Sequence, residues 1–130
     1  MSFAGDLGKF RSQAMQEADK KFRGAALSIY GAVIEATPVD SGRLRSNWFL
    51  SVNTPSNETT DDTTGNVSQV KALGAVGQLK IGYSAYLTNN MPYARRIEYE
   101  GWSNQAPTGM LRVTVEKAKP ELRKLGFEVQ

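Results

Sequence analysis

The sequence predicts an α+β protein in which a small antiparallel sheet is packed by a long N-terminal helix and a C-terminal helix. Apolar residues recur every three or four positions across 6–36 and again across 108–125, which is the period of one helix face. Between these segments, 48–52 and 83–88 are short runs rich in aromatic and β-branched residues, as strands usually are. Because 130 residues is the usual length of one domain, we expect 1–130 to form a single unit.

The first helix is predicted to begin near residue 6 and to end at Ala36, because Pro38 pushes Thr37 out of the helical region. Its main apolar face is expected to cover the sheet. Half of that face is alanine, and it comprises Phe10, Ala14, Ala18, Phe22, Ala25, Ile29, Val33 and Ala36. Three further apolar side chains lie off this face. We interpret them as a candidate second contact, with a neighbouring subunit, through Leu27, Tyr30 and Ile34.

A helical turn and a strand are predicted after the first helix. In TPVDSGRLRSNW, residues 37–48, Asp40 or Ser41 can cap a short turn, and Gly42 relieves the backbone there. Residues 48–52 then form a strand, one face of which carries Trp48, Leu50 and Val52.

The segment that follows, NTPSNETTDDTTGN at 53–66, contains no apolar side chain. A stretch of this composition cannot bury enough surface to offset the entropy of ordering its backbone. We therefore expect residues 54–66 to form a mobile polar loop.

The middle of the chain is predicted to hold a helix, a strand and a second, brief helix. Residues 67–79 carry four apolar side chains three positions apart, which favours a helix over the alternative, a strand. These side chains are Val67, Val70, Leu73 and Val76. Gly82 allows a turn before the second strand at 83–88, and Pro92 suits the first turn of a short helix over 92–99.

The last helix is predicted over 108–125. Its apolar face consists of Leu111, Val115, Ala118, Leu122 and Leu125. Gly126 suits the position just after the helix, and Pro120 should kink the helix or split it. Two strands make a thin sheet, so a further strand is either misread or supplied by a partner.

The composition argues against most kinds of catalytic and metal site. The chain has no cysteine and no histidine, which removes disulfides, thiol nucleophiles, Ser-His triads and metals bound by imidazole or thiolate. Glu98 and Glu100 are the only close carboxylate pair in 93–107. They would point to different sides of a helix, so we interpret both as solvated surface acids. We therefore expect no catalytic residues, no cofactor and no bound metal.

The charge and hydropathy of the chain limit its partners. The net charge of +3 is mild, whereas nucleic-acid readers of this size usually carry a stronger basic excess. No apolar run approaches the length of a membrane span, and the first residues do not resemble a secretion signal. We therefore expect no membrane partner, and the absence of cysteine fits a reducing cytosol or a virion assembled there.

The segment YARRIEYEGWSNQAP, residues 93–107, concentrates aromatic and charged side chains. Arginine and aromatic residues are typical of protein interfaces, and they also stack single-stranded nucleic acid. Glu98 and Glu100 lie among the bases and would repel phosphate, which favours a protein interface and leaves nucleic-acid binding as the alternative. The candidate interface residues are Tyr93, Arg95, Arg96, Glu98, Tyr99, Trp102 and Gln105. A core role is the simpler alternative for Tyr93, Ile97 and Met110.

Two segments, TPVDSGRLRSNW at 37–48 and YLTNNMPYARRIEYEGWSNQAPTGMLRVTV at 86–115, resemble the neck and tail-completion proteins of tailed bacteriophages. This family includes head–tail joining proteins and proteins like minor tail protein Z. The resemblance covers roughly residues 25–118. Its most specific motif is NN-x-PYA-x-x-x-EY followed by QAP-x-GM, and Glu100 lengthens the usual Tyr-Gly join of the family by one residue.

The resemblance implies a structural role. Such proteins form a ring of identical subunits, commonly six-fold, at the head-proximal end of a phage tail. The implied partners are other copies of the chain, the tail tube or tail terminator protein, and the head–tail connector or adaptor below the portal. Genome DNA would pass through the ring without specific binding. The resemblance implies a virion protein assembled in the host cytoplasm, with no enzymatic activity and no cofactor, and it implies a helix at 67–78.

Overall fold

The computed structural model describes residues 3–39, 42–100, 103, 105–106 and 109–126, with side chains described from residue 12 onward. Its elements are α1 (Phe3–Ala36), β1 (Trp48–Val52), α2 (Asn66–Gln78), β2 (Ala85–Asn89), α3 (Ala94–Glu100) and α4 (Leu111–Lys124), and a short 3-10 helix, Arg45–Asn47, precedes β1. The predicted α+β class is confirmed, since the long N-terminal helix and the C-terminal helix pack with a two-stranded antiparallel sheet.

The sheet has one side on the main core and the other under a polar segment of the chain. Trp48, Leu50 and Val52 share the core-facing side, as predicted. Phe49 alternates to the opposite side, where it is also buried. β2 begins at residue 85 rather than 83, and the described part of the chain contains no third strand.

The buried face of α1 is centred on Ala26, Tyr30 and Val33. This face is turned slightly from the predicted one, because α2 packs beside α1 and covers Tyr30. Burial raises the pKa of Tyr30, and the nearby Ser68 hydroxyl offsets part of this rise without reaching hydrogen-bond geometry with the phenol oxygen.

The end of α1 is tied to the sheet by side-chain hydrogen bonds. The Thr37 hydroxyl donates to the Val33 carbonyl at 2.6 Å and accepts from the Trp48 indole nitrogen at 2.8 Å. Arg45 donates to the carbonyls of Thr37 at 2.8 Å and Glu35 at 3.1 Å, so it satisfies carbonyl groups that lack partners at a helix end. The predicted cap by residues 40–41 lies outside the described residues.

Helix α2 confirms the preference for a helix over a strand, but most of the apolar residues whose spacing predicted the helix are not the ones that it buries. Three of the four predicted apolar residues are exposed: Val67, Val70 and Leu73. The side chains that α2 buries are mostly small: Ser68, Ala72 and Val76. Small side chains let the helix lie close to β1 and still fill the space between them, so close packing outweighed burial of the larger residues.

The polar segment between β1 and α2 runs along the sheet face that carries Phe49. On that face the Thr88 hydroxyl donates to the Ser56 carbonyl at 3.2 Å. The fully buried Asn47 donates to the Thr60 carbonyl at 2.9 Å and accepts from the Thr60 nitrogen at 2.9 Å. Hydrogen bonds therefore hold this segment on the sheet, since its sequence offers no apolar contacts.

The last residues of this segment cap α2. Gly65, the residue before the helix, has no side chain to serve as a cap. The Asp62 carboxylate instead accepts from the Thr64 hydroxyl at 2.7 Å, from the Thr64 nitrogen at 3.0 Å and from the Val67 nitrogen at 3.3 Å. These hydrogen bonds, the Thr64 hydroxyl first, lower the pKa of Asp62 to about 2.

The mobility of residues 54–66 stays a prediction, and the hydrogen bonds say where protection from amide exchange should appear. We expect the amides of 54, 57 and 59 to exchange rapidly in the isolated protein, and the Thr60 amide, bonded to buried Asn47, to exchange more slowly. Amide exchange followed by NMR measures this. Strong protection of the amides of 54, 57 and 59 would contradict the prediction.

Candidate functional site

Helix α3 presents two chemically different faces. It begins at Ala94, slightly later than predicted, after a turn in which the Ala94 nitrogen donates to the Met91 carbonyl at 3.1 Å. The residues that point inward are Ala94, Ile97 and Glu98, and those that stay exposed are Arg95, Arg96, Tyr99 and Glu100. The core role considered for Ile97 and Met110 is confirmed. One face of the short helix is therefore buried, where Glu98 is its interior anchor, and the other face is an exposed outward surface.

Glu98 is the interior anchor, so the interpretation of this residue as a solvated surface acid is wrong. It is 8% exposed. Its carboxylate accepts from the backbone nitrogens of Met110 at 2.6 Å, Leu111 at 2.9 Å and Arg112 at 2.8 Å. The Arg112 side chain adds one donation to the Glu98 carboxylate at 3.2 Å and another to the Glu98 carbonyl. Glu100 is exposed, so the two acids point to different sides, as predicted.

These contacts place a carboxylate at the amino end of α4. Met110, which precedes α4, makes no side-chain cap of its own. The first nitrogens of a helix lack partners inside the helix and carry partial positive charge, so an anion there is stabilised. Burial pushes the pKa of Glu98 up, but the backbone donors of Arg112, Met110 and Leu111 outweigh it, and the net pKa is lowered.

Gly109 makes this approach possible. Its φ of +103° lies in the region that favours glycine. A Cβ added at Gly109 would lie 2.7 Å from the Glu98 carbonyl oxygen and 3.2 Å from its carboxyl group. The contact between α3 and the start of α4 therefore requires a residue without a side chain at this position.

Gly109→Ala is expected to lower the free energy of unfolding by about 2–3 kcal/mol, because it combines backbone strain with a collision against Glu98. Urea denaturation followed by circular dichroism measures the change. Gly126→Ala is the matched control: its φ is +88°, but an added Cβ would meet nothing within 4 Å. The control should cost about 1 kcal/mol from backbone strain alone. Equal losses in both variants would argue against the collision.

Tyr99 is the centre of the outward surface of α3. Its side chain is 62% exposed. The Arg112 guanidinium lies 4.4 Å from the centre of its ring, and the Arg95 guanidinium lies 5.7 Å from it. Both distances suit attraction between a cation and an aromatic face. Because Arg112 also holds Glu98, the outward stack of Tyr99 and two arginines is attached to the interior anchor.

The other predicted interface residues are distributed around this stack. Tyr93 is half-buried against the core, in line with the simpler alternative for it, and Arg96 is exposed. The Gln105 side-chain oxygen accepts from the Val39 nitrogen at 3.0 Å and so links two parts of the same chain. Trp102 lies outside the described residues. Of the predicted set, the structure therefore brings Arg95 and Tyr99 into direct contact.

The predicted second contact on α1 is largely not an exposed surface. Tyr30 is 5% exposed, so the prediction that it is available to a neighbouring subunit is wrong. Ile34 is partly buried against the core, and only Leu27 of the three is exposed. Tyr30 belongs to the buried face of α1, where α2 covers it, and Ile34 lies at the margin of this face.

Arg112 was not among the predicted site residues. It is an ordinary basic position in the sequence of the last helix, and only the fold brings it to Glu98 and Tyr99. One signal could have suggested it: a basic residue in the first turn of a helix is opposed by the helix dipole, so it needs a local acid or another role there.

Comparison with known proteins adds no relative. No protein family, curated protein or solved structure matches this chain.

Within the described residues, no group of three acidic side chains is placed to hold a metal ion. None of the helices in the described part of the chain is both long and apolar enough to cross a membrane.

Proposed function

We propose that the protein is a structural subunit of a tailed-phage neck or tail. Copies of it form a ring, six-fold in symmetry, at the head-proximal end of the tail. The ring completes the tail and joins it to the connector below the portal. The resemblance of residues 37–48 and 86–115 to neck and tail-completion proteins supports this role, and the outward stack on α3 is the structural observation that carries it.

This stack suits a directional contact with another protein. Tyrosine and arginine are enriched among the residues that dominate binding at protein interfaces. Tyrosine buries a large area at a small cost in conformational entropy, and arginine offers a planar set of five donors. The guanidinium groups of Arg95 and Arg112 both lie close to the Tyr99 ring, and Arg112 is itself held by the buried Glu98. A partner therefore meets side chains that are already positioned, which lowers the entropy cost of docking.

The partners follow from the proposed position in the particle. Each subunit contacts two copies of itself within the ring, the tail tube or tail terminator on one side, and the connector or adaptor on the other. Genome DNA passes through the ring without specific binding. The protein carries no cofactor and performs no chemical reaction in this role.

Nucleic-acid binding is the second candidate function, and one observation favours it. Glu98, expected to repel phosphate at this surface, points inward. Arg95, Tyr99 and Arg112 then form a basic and aromatic surface, with Glu100 exposed on the same helix and Glu116 exposed four residues after Arg112 on α4. A salt series distinguishes the two functions, since binding through phosphate contacts weakens linearly in log affinity against log salt, with a slope of about −0.7 per contact for single strands.

Inactivation of the gene for this protein, in the virus that encodes it, tests the main proposal. We expect filled heads and separate tails to accumulate, and added purified protein to restore joined particles. Electron microscopy counts the joined fraction and locates a tagged copy of the chain. Normal joining in its absence, or a tag found away from the junction of head and tail, would overturn the proposal.

A further inference from the structure

The outer face of α2 is apolar and has no partner within the described chain. Val70 is 71% exposed and Leu73 is 64% exposed, and Val67 is exposed beside them. At 100° per residue these three share one side of the helix with Gly74 and Gly77. None of the five carries a charge. A monomer gains nothing from exposing a helix face of this kind.

The two glycines on this face have no explanation within one copy of the chain. A Cβ added at Gly74 or at Gly77 would meet nothing within 4 Å. Glycine weakens a helix relative to alanine, so α2 is less stable than it could be. What glycine does provide is a surface that another backbone can approach closely.

A separate groove lies along α1, and its lining is mainly apolar but includes Glu17 and Lys21. It is bounded by α1, by the turn before β2 and by the end of α4, and its volume is about 850 Å³. Exposed apolar side chains surround it, among them Ile81, Tyr83 and Leu125. The floor is provided largely by α1 residues that include Ala18, Ala25 and Phe22. No residue of the outer face of α2 lines the groove.

The two features match in length and in chemistry. The 13 residues of α2 make a helix roughly 20 Å long, at a rise of about 1.5 Å per residue. The groove follows α1 from Ala14 to Ile29, a distance of roughly 22 Å by the same rise. One surface is a convex apolar ridge and the other is a concave apolar trough, so each supplies what the other lacks.

We infer that α2 of one copy seats its outer face in the α1 groove of the next copy. The two surfaces are unlike, so the contact is head-to-tail and can repeat around a ring. Gly74 and Gly77 lie at the line of closest approach, and Val70 and Leu73 enter the groove. This inference rests on the proposed ring function and names the surfaces that build the ring.

Alanine substitution of the two glycines is the first test. Gly74→Ala/Gly77→Ala should fold with equal or greater stability, because alanine favours the helix and meets no atom of its own chain. It should weaken self-association by at least about tenfold, since added methyl groups overfill a close contact. The control is Gly31→Ala on α1, an exposed glycine outside the groove lining where an added Cβ also meets nothing. Sedimentation over a concentration series should show no loss of association in the control.

Cysteine pairing is the second test, and the absence of native cysteine makes it specific. Leu73→Cys mixed with Ala18→Cys or with Ala25→Cys should give mixed disulfide dimers under a mild oxidant. Leu73→Cys mixed with Thr59→Cys, whose cysteine lies in the polar segment, is the control and should not. Chains that carry both cysteines should form a ladder of covalent oligomers.

The outcomes separate this inference from the proposed function. Leu73→Cys pairing only with itself, or no mixed dimer in protein or in particles, would overturn the inference. Particles that still contain the ring in that case would leave the proposed function standing. If mixed dimers form but the protein is absent from joined particles, the proposed function is wrong and the inferred contact stands.

Discussion

Glu98→Gln is expected to lower the free energy of unfolding by about 1–3 kcal/mol at neutral pH, as the loss of charge-assisted hydrogen bonds usually does. The glutamine oxygen can still accept, but its amide group would meet one or more of the three backbone nitrogens that now donate to the carboxylate. The negative charge at the amino end of α4 would also be lost. Urea denaturation at pH 7 measures the difference.

The same residue predicts a dependence on pH. The pKa of Glu98 in the folded protein is lowered from its ordinary value of 4.5. The stability that its carboxylate contributes is therefore fully present above that ordinary value, and it is lost as pH falls through the lowered folded value. The difference between wild type and Glu98→Gln should shrink as pH falls below 4.5. A difference that stays constant down to the acid end of the series would contradict this assignment.

Glu100→Gln is the control for both measurements. Glu100 lies on the same helix but is exposed. Its replacement should change stability by less than about 0.5 kcal/mol, as most surface substitutions do. If Glu100→Gln lowers the free energy of unfolding as much as Glu98→Gln does, the loss comes from any negative charge removed from α3 and not from the capping of α4.

Arg96→Glu is expected to leave the protein folded and to reduce the yield of joined head–tail particles by about tenfold or more. Arg96 is exposed on α3 beside the stack formed around Tyr99, so reversal of its charge changes the surface that a partner would meet. Like charges brought together across an interface cost several kcal/mol. Complementation of a disabled chain, with electron microscopy of the particles, measures the yield.

Lys117→Glu is the charge-matched control for this experiment. Lys117 is exposed on α4, away from the stack, and its reversal alters the net charge by the same amount. Joined particles should form normally with this variant. Normal joining with a folded Arg96→Glu protein would remove α3 from the interface.

The positions of the helices and strands were largely predictable, and the orientation of α2 was not. Spacing identifies a helix, but it does not select the face that is buried. One face of α2 carries Val67, Val70 and Leu73, and another carries Ser68 and Ala72. Periodicity cannot show which side a sheet will accept. Of the two effects predicted for Pro120, a split did not occur, since α4 continues through this residue, and a kink stays a prediction.

The candidate site was predicted in composition but not in arrangement. The sequence marked Arg95 and Tyr99 as candidate interface residues, and the fold places them in contact. It could not reveal that Glu98 points inward, since its backbone donors are 12 or more positions away. Such a pairing depends on how two helices meet. Whether these residues bind a neighbouring subunit stays a prediction.

The adjacency of Glu98 and Tyr99 has a consequence for how such a chain can change over generations. One residue faces inward and is tied to Gly109 by a close contact; the next faces outward. Substitutions at the inner position would require a compensating change at the start of α4. Substitutions at the outer position would change the contact of the exposed ring with the Arg112 side chain but would leave the Glu98 cap on the backbone of α4 in place. A lineage could therefore acquire a new docking partner by drift at Arg95 and Tyr99 alone, while the pair beneath them stays fixed.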